Sequence, residues 1–269
     1  MVAAQPVTIF NQIVRRVFAL LSVANPDDFT LRQVDRDIAK LKNADPFGAM
    51  ELAAVMHGIR GDVETMVATF ERAIAGTAHK GHAIFRMLDA LKLLTDGSAM
   101  AALFSKYHPI FRNDALILRR IESSMSGAGW FEHNSVINQD LSRVGAETLD
   151  VVPTEQVLRA FALTEQDVQA AVGFANLFLR RRGIFPVRRV LKLVRNLEPG
   201  PSPQLLLRFY AYGEIENLVE AEFDLFDGLY TADLRAHRTG ALVLCVQPES
   251  QPANSGDHDR ETDCADPSA

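Results

Sequence analysis

The feature that most constrains this chain is a rhythm. Across residues 46–145, apolar segments of about four helical turns alternate with short breaks at Gly61-Asp62, Asp96-Gly97 and residues 126–129. Such a segment has one apolar face and cannot bury it alone. Short breaks then force neighbouring segments to lie antiparallel, so the pattern predicts stacked helical hairpins. The region before it continues the theme. Ile9, Ile13, Val17, Leu20 and Leu21 recur at helical spacing with Arg15 and Arg16 opposite. Thr30 is expected to open the next helix, with Leu31, Val34, Ile38 and Leu41 inward and Asp35, Asp37, Lys40 and Lys42 outward. Pro46 suits the first turn of the helix that follows.

Residues 46–76 carry the most specific signal. Gly48, Ala49, Ala53, Ala54 and Gly58 permit close helix approach, and Met66, Phe70, Ala73 and Ile74 supply the opposing stripe. This hairpin resembles a tetratricopeptide repeat: a small residue midway along the first helix (Ala54), a turn glycine (Gly61), then an aromatic and a small residue on the second helix (Phe70, Ala73). Met66 departs from the family, which prefers another alanine there. Shifting by the family period gives further hairpins at 80–111 and 113–145. Phe70 maps onto Phe104 and then onto Asn138, so rhythm persists further than identity. The resemblance implies that first helices line a groove for a partner. The corresponding positions are Glu51 and Val55, Phe85 and Asp89, and Arg119 and Ser123.

After Gly145 the pattern changes. A connector containing Pro153 leads to a helix from Thr164, whose Thr164/Asp167 pair forms a capping box and which stops at residues 180–183 with three arginines and a glycine. Segments 187–195 and 204–212 are expected to be strands joined by the Pro-rich turn 197–203, although Val187, Val190, Leu191 and Val194 also fit a helix with Pro186 in its first turn. An amphipathic helix follows from Glu214 to Leu234, with Ile215, Leu218, Val219, Phe223, Phe226, Leu229 and Tyr230 inward. The continuous apolar run 240–246 predicts a last strand, central in its sheet. The expected fold is mainly α: a helical-hairpin array over 1–150, a small α+β domain over 151–248 resembling a partial ferredoxin-like arrangement, and a disordered acidic tail over 249–269.

The net charge of -6 is concentrated at one end. Glu249, Asp257, Asp259, Glu261, Asp263 and Asp266 against Arg260 give the last stretch -5, leaving the rest near neutral. Within that neutral body, Arg180, Arg181, Arg182, Arg188, Arg189, Lys192 and Arg195 form a basic run without an intervening acid. It could contact nucleic-acid phosphates, or be compensated by the acidic helix 214–233. His79 and His82 could sit on one helical turn as metal ligands, but no companion ligand stands at a recognised spacing, so no metal or cofactor is expected. No nucleophile elbow, phosphate loop, dinucleotide fingerprint or zinc-protease motif occurs. Two cysteines, Cys245 and Cys264, make no disulfide framework, and no signal peptide or membrane span is legible, so a cytoplasmic protein is expected. The function predicted is a non-enzymatic adaptor capturing a partner peptide or helix on the array. The alternatives are nucleic-acid binding through 180–195 and an enzyme with its site at the junction of the halves. A homodimer through a sheet edge is a further expectation.

Overall fold

The structure, a computed structural model, describes residues 6–21, 26–148, 154–194 and 203–249. Eight helices run in antiparallel pairs: α1 (Pro6–Leu21) with α2 (Asp28–Leu41), α3 (Pro46–Ile59) with α4 (Val63–Gly76), α5 (Lys80–Leu94) with α6 (Met100–Phe111), and α7 (Ala115–Gly127) with α8 (His133–Arg143). Their breaks fall where the glycines and aspartates stand. Asp27, Asp45, Asp62 and Asp114 each accept a hydrogen bond from the backbone N–H three residues on, at 2.8, 2.8, 3.1 and 3.0 Å. Each cap is worth about 1 kcal/mol. Asp27 therefore opens α2, and Thr30, expected to do so, is the residue it caps.

The first helices of successive hairpins, α1, α3, α5 and α7, lie side by side. Side chains tie one hairpin to the next at a constant step. Arg86 donates to Glu51, Lys106 Nζ to Glu71 at 2.6 Å and Ser124 Oγ to Asp89 at 3.0 Å, each pair 35 residues apart. The apolar centre of this stack holds Phe70, Met66, Met87, Leu91 and Phe111, all essentially solvent-free. Burying each such side chain contributes about 1.5–3 kcal/mol.

A second apolar cluster runs from Phe131 to Val246. It is built from α9 (Thr154–Ala160), α10 (Glu165–Arg181), β1 (Pro186–Val194), β2 (Gln204–Ala211), α11 (Ile215–Thr231), α12 (Arg235–Arg238) and β3 (Leu242–Pro248). The capping box at Thr164 is present, and Gly183 takes φ +77° to end α10. The sheet order is β1-β2-β3, with β1 antiparallel and β3 parallel to β2. Two expectations are corrected. β2 is the central strand and β3 an edge: its apolar run alternates between buried residues (Leu242, Leu244, Val246) and half-buried ones, because only one face meets the core. β3 also lies directly beside β2, with no strand between the parallel pair as a split βαβ unit would have. The turn residues 195–202, with Arg195, and the tail residues 250–269 lie outside the described residues.

Candidate interaction surfaces

The six array positions suggested by the tetratricopeptide resemblance divide sharply. Glu51 and Val55, on α3, are buried, and Glu51 is engaged by Arg86. Burial pushes the Glu51 carboxyl up, against the opposing pull of Arg86. Asp89 is half-buried, paired with Lys92 Nζ at 2.5 Å and accepting from Ser124. Phe85 is half-buried with the Arg120 guanidinium 5.6 Å from its ring centroid, a cation–π contact. Arg119 and Ser123 are exposed, and Arg119 donates to the Glu147 carbonyl at 2.8 Å. Leu116 and Arg120 are exposed as well, so α7 presents Leu116, Arg119, Arg120 and Ser123 at positions i, i+3, i+4 and i+7, one helical face. The sequence reading missed Leu116 and Arg120, although their spacing to Arg119 was visible.

The basic run 180–195 is dispersed. Arg189 points into the seam between the two apolar clusters, where it is buried. It donates to the carbonyls of Lys92 at 2.7 Å and Gly127 at 3.2 Å and to Asn176 Oδ1 at 2.5 Å. Arg180 donates to the Leu93 carbonyl at 3.2 Å, and Asn176 Nδ2 to those of Lys92, Leu93 and Thr95. The last carbonyls of a helix have no partner within it and carry its negative dipole end. Two arginines and an amide from α10 and β1 thus cap the C-terminus of α5 across the seam. Arg182 pairs with Asp224 of α11, as the compensation reading requires, and Arg188 pairs with Glu249 at 2.9 Å. Arg181 and Lys192 are exposed, and among the described residues neither has a partner.

Two clefts bring together groups that are remote in sequence. At the junction, Glu122, Ser126, Asn134, Thr154 and Arg189 border a cavity of about 280 Å³. Ser126 donates to Glu122 at 2.7 Å and accepts from Asn134 Nδ2 at 3.2 Å, while the buried Nε of Arg189 has no partner among the described residues. Burial raises the Glu122 carboxyl. On α6 and α8, His108 and His133 meet around Phe104, beside a cavity of about 360 Å³. His108 bonds Asp140, which also accepts from Arg143 at 2.8 Å, and burial pushes the His133 imidazole down. His79 and His82 stand 6.5 Å apart, centroid to centroid. Among the described residues no group of three or more His, Cys, Asp or Glu side chains could hold a metal, and no helix is long and apolar enough to cross a membrane.

The inward face expected of α11 is corrected too. Leu218, Ala221, Leu225 and Leu229 are buried, whereas Ile215, Val219, Phe223 and Tyr230 are 60, 48, 67 and 74% exposed. Its apolar residues span two faces, and the core accepts only one. Comparison of the chain with protein-family models, with curated proteins and with solved structures finds no match.

Proposed function

We propose that the chain is a non-catalytic protein-interaction module whose hairpin array, tetratricopeptide-like in its stacking, holds an acidic peptide segment of a partner against α5 and α7. The observation that carries this reading is the open face of α7: Leu116, Arg119, Arg120 and Ser123, with Phe85 beneath Arg120. It offers apolar contact and two guanidiniums suited to bidentate carboxylate recognition. The constant 35-residue step of the Glu51–Arg86, Glu71–Lys106 and Asp89–Ser124 contacts supports the repeat-like part of the reading. Burial of Glu51 and Val55 moves the site to the second and third hairpins of the resemblance. Among the described residues, the nucleic-acid alternative keeps Arg181 and Lys192 as exposed, unpartnered cations of its basic run.

A fluorescent peptide alternating Glu and Leu tests this against the full chain. Binding should weaken at least about tenfold, about 1.4 kcal/mol, in the double variant Arg119→Glu/Arg120→Glu. Unchanged affinity, or an equal loss in this variant for the same peptide with Lys replacing Glu, would sink the assignment.

A further inference from the structure

We propose that the outer face of α11 is a second docking surface, and that its occupant is an amphipathic helix of a partner protein with basic flanks. The face is formed by Ile215, Val219, Phe223 and Tyr230, with half-buried Phe226 between the last two. The intervals of four, four, three and four residues are those of a helix–helix seam. Large apolar side chains this exposed, and aligned on one helix, are what soluble chains ordinarily hide.

Three observations select the occupant. First, the flank one step round the helix is acidic: Glu216, Glu220 and Asp227 are exposed and, among the described residues, none has a cationic partner. A complementary helix therefore brings Lys or Arg there. Second, an added strand is disfavoured. On the other flank Glu222 accepts the Val246 N–H of edge strand β3 at 2.9 Å, and Pro248 has no N–H to offer, so the neighbouring sheet edge is already blunted. Third, a second copy of α11 brings no compensating charge, because the helix contains no Lys or Arg. Paired antiparallel about a twofold axis, the two acidic flanks would lie together. The proposal does not rest on the α7 site, since it uses a different helix, different residues and the opposite charge.

The test uses the full chain and a synthetic helix of about five turns, with Leu at seam positions and Lys on the flanks, beside a version with Glu on the flanks. The Lys helix should bind, and the Glu helix should show no binding that depends on Phe223. Phe223→Ser should weaken binding at least about tenfold without moving the thermal melt, because the ring is 67% exposed. Glu216→Lys/Glu220→Lys should switch the Phe223-dependent binding to the Glu helix, and Arg119→Glu/Arg120→Glu should leave binding of the Lys helix untouched. Four results would overturn the proposal: no effect of Phe223→Ser, no switch on charge reversal, a self-associated species in sedimentation that Phe223→Ser dissolves, or binding to lipid vesicles with the same dependence on Phe223.

Discussion

Replacing Arg189 with alanine should loosen the seam between the helical array and the sheet. In the native structure its guanidinium supplies three hydrogen bonds, to Lys92 O, Gly127 O and Asn176 Oδ1. Lys92 O keeps Asn176 Nδ2 at 3.3 Å, so two acceptors are left without a donor. Each orphaned buried group costs about 1–3 kcal/mol, and truncation leaves a void besides. Relief from holding a cation out of water offsets part of this. The net loss expected is about 2–4 kcal/mol, two orphaned neutral acceptors less the relieved desolvation of the cation. For a chain of this size that is a fall in Tm of roughly 4–8 °C. Chemical denaturation of wild type, Arg189→Ala and Arg189→Met measures it, and a double-mutant cycle with Asn176→Ala should return at least about 1 kcal/mol of coupling. Burial disfavours the Arg189 guanidinium, with Asp89 opposing and Arg180 reinforcing that cost; because a guanidinium stays protonated in proteins, this is a desolvation cost and not a titration. An Arg189→Ala protein within about 0.5 kcal/mol of wild type would refute the capping argument.

Gly173 lets α10 approach the turn after α5, where an added Cβ would stand 2.8 Å from the Asp96 carbonyl oxygen. Gly173→Ala should therefore destabilise by about 1–3 kcal/mol despite alanine's better helix propensity, and a melt at or above the wild-type value would contradict that packing. Glu165 accepts the backbone N–H groups of Phe131 and Glu132, yet burial outweighs those bonds and raises its carboxyl from 4.5. The folded state then keeps a proton that the unfolded state has lost, so this group's contribution falls as pH rises from 4.5. Glu165→Gln retains an acceptor oxygen and should show a shallower decline between about pH 4 and pH 7; identical slopes would remove Glu165 from the account.

Local chemistry made much of the architecture legible. Hairpin breaks at Gly61, Gly97 and Gly129, the Thr164 box and both hairpin strands follow from residues within a few positions of each feature, whereas α2 was expected to open at Thr30 and opens at Asp27. What failed were two judgements about which neighbour a face would meet, those for 240–246 and for α11. The run 240–246 is apolar on both sides, yet β3 is an edge, because strand order is a contest among segments distant in sequence. The apolar residues of α11 were assigned one direction, although seven of them over a 17-residue helix exceed the face that a single sheet can cover.

The candidate sites show the same division. Arg119, Ser123 and Phe85 came from the tetratricopeptide resemblance, and exposure then separated them from buried Glu51 and Val55. The arginines at 180–195 looked like one patch because they are consecutive in the chain. In the fold, strand alternation and helical rotation send Arg189 and Arg180 to the carbonyl end of α5, Arg182 to Asp224 and Arg188 to Glu249. His108 and His133, scattered in sequence, meet at one ring. The sequence by itself determined the hairpins, the strands and the chemistry available at each position, since these depend on neighbouring dihedrals, caps and periodicity. Only the tertiary structure decided which charges are used up inside the molecule and which faces remain for a partner, because burial and pairing are properties of segments brought together from far apart.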